Sequence, residues 1–203
     1  MVPSSQRRRQ ATAFGGNVHF NFLYYLQHSL LLHSCANPNQ HIFAPMKILM
    51  VCLGNICRSP LAEGIMRDKI KQHQLDWIVT SAGTGNYHTG EPPHELSQKV
   101  AKINGIDITM QRAKQFTKND MQHYDLIYVM DSSNYQEVKR MSGNFWDASK
   151  TDFLLNELYA NENRNVPDPW FGAEDGYHAV FEMIDKACEQ IIVKYTGKQQ
   201  VFL

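Results

Sequence analysis

Six consecutive apolar residues, Ile48-Leu49-Met50-Val51-Cys52-Leu53, run up to a Gly54-Asn55 pair, and an amphipathic stretch begins at Leu61. A short unbroken apolar run bounded by turn residues predicts a strand buried on both faces. Residues 60–74, with Leu61, Ile65, Met66 and Ile70 on one side, predict a helix. Residues 77–79 predict a second strand. A turn-rich loop over 81–93 then leads to a helix from about 94 to 104 that stops at Gly105. Residues 114–116 predict a short third strand and 126–130 a fourth, followed by a helix over 132–141. Residues 151–155 predict a short strand or extended stretch. A loop bearing prolines and acids spans 162–172, and a last helix covers about 173–195. The alternation predicts a single-domain α/β fold: a four-stranded, mainly parallel sheet with helices on both faces and flavodoxin-like layering.

The chain has 203 residues, enough for one well-cored domain and too few for two comfortable ones. Lys and Arg together number 20, as do Asp and Glu, so overall charge points to neither nucleic acid nor a membrane surface as a partner. The balance is uneven. Residues 1–45 carry Arg7, Arg8 and Arg9 and no acid. Their apolar patch is shorter than a membrane span and is interrupted by polar residues. This segment is expected to be a disordered or extraneous extension, with the working domain at 46–198 and a tail at 199–203. A targeting segment and an accessory helix are the alternatives, and export follows only if residues 1–45 act as a signal. Four cysteines, Cys35, Cys52, Cys57 and Cys188, are too few for a disulfide scaffold and fit a reducing, cytoplasmic setting.

The chemistry concentrates in Cys52-Leu53-Gly54-Asn55-Ile56-Cys57-Arg58-Ser59. A tight loop feeding a helix amino terminus converges backbone N–H groups on an anion, and the helix dipole adds a favourable field. Gly54 permits backbone conformations closed to other residues, and Asn55 tolerates a left-handed one. Ser59 is expected as the helix N-cap and Pro60 as its first residue. The same field favours a thiolate at Cys52, and Arg58 offers two phosphate oxygens a planar fork. Thiolate attack on phosphorus needs a proton donor for the leaving group. Asp168, in Val166-Pro167-Asp168-Pro169-Trp170-Phe171, is the candidate, the alternative being that it only initiates a turn.

These residues resemble the low-molecular-weight protein tyrosine phosphatases. The resemblance rests on Cys-x5-Arg-Ser at 52–59 near the start of the domain and on Asp168-Pro169-Trp170 near its end. Ser81-Ala82-Gly83-Thr84 followed by Tyr87, and Val129-Met130-Asp131 followed by Asn134, add to it. The resemblance implies the phosphotyrosine phosphatase I-like fold and hydrolysis of phosphotyrosine or small aryl phosphates in two steps. Cys52 takes the phosphoryl group while Asp168 protonates the phenol, and water then releases phosphate with Asp168 as base. Arg58 and the N–H groups of Leu53, Gly54, Asn55, Ile56, Cys57 and Ser59 hold the phosphate. Asn55 keeps the loop in shape, and Ser59 bonds the thiolate. No metal or cofactor is implied. Cys57 is implied as a reversible disulfide partner of Cys52, with simple packing as the alternative.

Tyr87, Trp170 and Phe171 are expected as walls of an aryl slot, with Leu53 and Ile56 at its base; core packing is the alternative for the aromatics. A related branch that acts on phosphoarginine tends to carry Thr at the position of Ile56, which favours phosphotyrosine here. Many members place a His where this chain has Gln111; if that His braces the loop, Gln111 must substitute as an amide. Two rival readings exist. Arsenate reduction on the same fold needs relay cysteines in mid-chain, and the only later one is Cys188. A non-catalytic phosphate-binding module would be expected to lack the thiol or the acid. The expected partners are phosphotyrosine proteins or small aryl phosphates, with no nucleic acid and no membrane, and the protein is expected to be a monomer or weak dimer.

Overall fold

The computed structural model describes residues 45–197; the expectations for 1–44 and for the tail lie outside the described residues. In chain order the elements are β1 (Lys47–Cys52), α1 (Arg58–Gln72), β2 (Ile78–Gly83), α2 (Glu95–Ile103), α3 (Lys118–His123), β3 (Leu126–Val129), α4 (Ser132–Ser142), β4 (Thr151–Phe153) and α5 (Glu174–Thr196). Short 3-10 turns at Gly143–Phe145, Leu154–Glu157 and Pro169–Phe171 complete the set.

The sheet has the order β2-β1-β3-β4, and every pairing is parallel. β1 lies inside it, which explains its unbroken apolar run: successive side chains of a strand point to opposite faces, and here both faces are covered. Ile48, Met50 and Cys52 join one core layer with Leu61, Ile65 and Met66 of α1 and Ile184, Ile191 and Ile192 of α5. Leu49 and Val51 join the other, with Phe116, Met121, Ile127, Val129 and Val138.

Three expectations change. The strand expected at 114–116 is reduced to one bridge between Gly83 and Gln115, so the fourth strand of the sheet is β4. Ser81-Ala82-Gly83, read as loop, continue β2, because parallel pairing holds the strand in register until Gly83 faces Cys52. α3 had no counterpart in the reading; only Met121 of its six residues is buried, so it has no apolar stripe to detect.

The chain passes from β1 to β2 on one side of β1 and then returns to β3 on the other. This reversal opens a crevice beyond the carboxyl ends of β1 and β3, where ligands of such sheets bind. Cys52 ends β1 and Asp131 follows β3, so both stand at that crevice.

Candidate active site

β1 delivers Cys52 to the crevice with 3% of its surface exposed. Its sulfur accepts the Asn55 N–H at 3.3 Å and lies 3.0 Å from Ser59 Oγ. Asn55 is left-handed, with φ of 56°, a conformation an Asn tolerates better than most residues. Its Nδ2 donates to Ser59 Oγ at 2.9 Å and to Ser81 Oγ at 2.8 Å, and its Oδ1 accepts the Lys114 N–H at 2.9 Å. Ser81 Oγ in turn donates to Glu63 Oε2 at 2.6 Å, and Glu63 pairs with Arg67. A hydrogen-bonded chain therefore runs from the thiol to a buried carboxylate one turn along α1.

Asn55 takes the left-handed conformation the sequence allowed it, whereas Gly54 has no positive φ. At Gly54 a Cβ would sit 3.1 Å from His88 Cδ2, so the imidazole would have to give by a few tenths of an ångström. The helix begins at Arg58, with Cys57 as N-cap, two residues before the expected start. The Ser59 hydroxyl is engaged by Cys52 and Asn55, so it does not cap the helix. The first N–H groups of a helix have no partner within it, and those of α1 open beside the thiol.

Arg58 is buried, and its Nη1 donates to Asp131 Oδ2 at 2.7 Å and to the Val166 carbonyl at 3.1 Å. Nη2 donates to Asp168 Oδ2 at 2.7 Å, while Nε is buried without a protein partner. Burial alone would lower the guanidinium pKa; the Cys52, Asp168 and Asp131 charges outweigh it and raise the value. Asp168 also accepts the Trp170 N–H through Oδ1 at 3.1 Å. It thus starts the Pro169–Phe171 turn with one oxygen, as the turn reading expects, and pairs with Arg58 through the other, which keeps its carboxylate at the cavity. Asp131 has the same double use, capping α4 by accepting the Asn134 N–H at 2.7 Å.

Cys52, Leu53, Gly54, Ile56, Cys57, Arg58, Tyr87, His88, Asp168, Trp170 and Phe171 line one cavity of about 240 Å³. Every expected site residue is among them except Asn55 and Ser59, whose side chains bond to each other and, through Asn55, to Ser81. Ile56 is buried, whereas Leu53 is 49% exposed and stands at the mouth instead of the base, because β1 ends one residue earlier than expected. Tyr87 is 75% exposed and Phe171 95%, so neither is a core residue. Burial raises the Cys57 thiol from 9.0 to about 11, outweighing the stabilising contact of Tyr177. Gln111, the amide named as a substitute brace for the loop, donates from Nε2 to the Pro60 carbonyl at 3.2 Å and leaves its buried Oε1 without a partner.

Sequence reasoning missed Asp131 as an Arg58 partner and His88 as a wall. The polar residue just after an apolar strand was a signal for Asp131; nothing in the local sequence pointed to His88.

Fold and site together define the class: an α/β protein with a Cys-x5-Arg anion loop at the switch point of a parallel sheet and a carboxylate facing the arginine. The sequence model of the low molecular weight phosphotyrosine protein phosphatases matches residues 47–201. The Bacillus subtilis low molecular weight protein-tyrosine-phosphatase YfkJ is 34% identical over 158 residues, spanning 77% of this chain and 99% of its own length. The Gallus gallus low molecular weight phosphotyrosine protein phosphatase is 36% identical over 150 residues, spanning 72% and 94%. The crystal structure of YfkJ superposes with a TM-score of 0.71, covering 78% of this chain and 99% of YfkJ. That of Vibrio vulnificus Wzb in complex with benzylphosphonate gives 0.65 at 27% identity, covering 73% and 98%. The chain belongs to the low molecular weight phosphotyrosine protein phosphatase family. No helix among the described residues is long and apolar enough to cross a membrane.

Proposed function

We propose that this chain hydrolyses phosphotyrosine, in proteins or as small aryl phosphates, with Cys52 as nucleophile, Arg58 as phosphate clamp and Asp168 as acid and then base. The observation that carries this reading is the meeting of the Cys52 sulfur, the Arg58 guanidinium and the Asp168 carboxylate in one cavity. In the first step the sulfur forms a bond to phosphorus, the phosphorus–oxygen ester bond breaks, and the phenolic oxygen leaves with the Asp168 proton. In the second, water gives its proton to Asp168, its oxygen bonds to phosphorus and the cysteine sulfur departs. The buried, unpartnered Arg58 Nε and the open N–H groups at the start of α1 supply donors for the oxygens on which charge accumulates. Ser59, at 3.0 Å, stabilises the departing sulfur.

The apolar lining and the exposed aromatic rim support an aryl group as the leaving side of the substrate. The complex of Wzb with benzylphosphonate is in keeping with that choice. Cys57, in the same cavity, is proposed as the disulfide partner of Cys52 under oxidant. A monomer or weak dimer is proposed as the working form. The catalytic domain is proposed to be 46–198, and the free Cys52, Cys57 and Cys188 suit a cytoplasmic setting. The purified protein should hydrolyse p-nitrophenyl phosphate without added metal and be blocked by vanadate. Cys52→Ser should remove turnover while retaining oxyanion binding, and wild-type rates in that variant would overturn the assignment.

A further inference from the structure

Trp170 follows the proposed acid by two residues, and its ring lies between two imidazoles. The His94 ring meets it edge-on at 5.3 Å between centroids, and the His88 ring lies at 5.9 Å with a 47° tilt. Both histidines belong to the segment between β2 and α2. His88 is fixed by Glu91, whose carboxylate lies 2.8 Å from Nδ1, and it packs over Gly54. His94 is fixed more extensively. Its backbone N–H donates to the Ile56 carbonyl at 2.7 Å, which ties it to the loop that carries Cys52. Its Nδ1 lies 3.1 Å from the Tyr177 hydroxyl and accepts the Leu96 N–H at 3.3 Å as the N-cap of α2. Its ring stacks on Tyr177 at 5.5 Å with 13° between planes. Tyr177 is fully buried, and its hydroxyl sits between His94 Nδ1 and Cys57 Sγ, the latter at 3.6 Å.

We infer that His94 is a positioning residue for the acid loop: it and His88 grip Trp170, and the grip holds the Asp168 carboxylate at the cavity. The link is short. The Trp170 N–H is itself a donor to Asp168 Oδ1, so a displaced Trp170 takes away one of the two hydrogen bonds that orient the carboxylate. An N-cap alone requires only a short polar acceptor, and Asn and Asp serve best. An imidazole adds a ring face and edge, which Trp170 and Tyr177 use. Pro169 anchors the start of the turn by being buried, but Trp170 is 44% exposed and Phe171 almost wholly in solvent, so beyond Pro169 the turn has little other packing to set its position. This inference rests on Asp168 being the general acid.

The test separates the cap from the ring. His94→Asn keeps an N-cap acceptor and removes the ring; His94→Phe keeps a ring and removes the acceptor. Turnover is measured with phenyl phosphate, whose leaving group needs a proton, and with p-nitrophenyl phosphate, whose leaving group needs one less. His94→Asn should lower kcat on phenyl phosphate by about twofold to tenfold, the span that one aromatic contact supports, with a clearly smaller loss on p-nitrophenyl phosphate. His94→Phe should restore most of the phenyl phosphate rate even where its thermal midpoint is lower. Equal losses on both substrates in His94→Asn, or no recovery in a folded His94→Phe, overturn the positioning role. Asp168→Asn in the same assays is the reference. If it discriminates between the substrates and His94→Asn does not, the grip is wrong and the acid stands. If Asp168→Asn does not discriminate, the acid assignment fails and the grip fails with it.

Discussion

Asp168 and Arg58 form an ion pair at the cavity, Oδ2 to Nη2 at 2.7 Å, so the proposed acid is paired with the proposed phosphate ligand. A phosphate dianion competes with Asp168 for that nitrogen, and a carboxylate that donates a proton has to be released from the guanidinium to do so. Asp168→Asn should therefore have two effects of opposite sign. Turnover of phenyl phosphate should fall by about 10²- to 10³-fold, as expected for loss of a general acid, with a smaller fall on p-nitrophenyl phosphate. Inorganic phosphate should bind more tightly, because an anion has been removed from its site. Weaker phosphate inhibition in the variant would contradict the competition.

Asp131 holds the other end of the fork, Oδ2 to Nη1 at 2.7 Å, with only 18% of its side chain exposed. Asp131→Asn keeps an acceptor for the α4 cap and removes only the charge. A buried cation that loses one of its anions is left poorly compensated. We expect kcat/KM to fall by about tenfold to a hundredfold, with a lower melting temperature. Unchanged kcat/KM would mean that Asp168 alone orients Arg58.

Ser59 Oγ stands 3.0 Å from the Cys52 sulfur and is itself held by Asn55 Nδ2. Its removal should matter most when sulfur regains negative charge, on breakdown of the phosphocysteine. Ser59→Ala should lower steady-state turnover and expose a pre-steady-state burst of p-nitrophenol as the intermediate accumulates. A reduced rate without a burst would place the effect in the first step instead.

The legible parts of the molecule were those whose cause is local. β1 was readable because a strand buried on both faces has no polar alternation, and α1 because one face carries Leu61, Ile65, Met66 and Ile70. The loop was readable because thiol, glycine, asparagine and arginine fall within seven residues. α3 was not, since Met121 is its one buried residue. Thr117 and Asp120, which form its capping box, were its only local mark. His88 and the second use of Asp131 depend on distant segments approaching the loop, and no spacing along the chain encodes that. Gln115 makes a single bridge instead of a strand because only Gly83, the last residue of β2, faces it.

Gly83 illustrates a constraint of that tertiary kind. It ends β2 opposite Cys52, and a Cβ there would lie 2.7 Å from the Leu53 carbonyl oxygen and 3.1 Å from the Asn55 nitrogen. Those are backbone atoms of the anion loop and cannot move without changing its shape. Gly83→Ala should destabilise the protein by about 1–3 kcal/mol, the usual cost of overpacking, and weaken vanadate binding with it. A variant that folds with full vanadate affinity would show that the loop has slack at this point.

Cys57 gives a prediction in pH. Burial raises its thiol to about 11, so at neutral pH it is mostly protonated and a slow nucleophile, although it lines the same cavity as Cys52. With Cys52→Ser removing the competing nucleophile, iodoacetamide should label Cys57 slowly at pH 7. The rate should climb through pH 9 and level well above the pH at which the same thiol levels in urea, though lower than with Cys52 present, since the Cys52 charge adds to the upward shift. Because the folded state favours the neutral thiol, the unfolded chain ionises first as pH rises. The contribution of Cys57 to stability is therefore complete below about pH 9 and is lost between 9 and 11. Cys57→Ala should flatten that part of the stability curve. A labelling rate that levels near pH 8.5 in the folded protein would place the thiol in contact with water and remove both expectations.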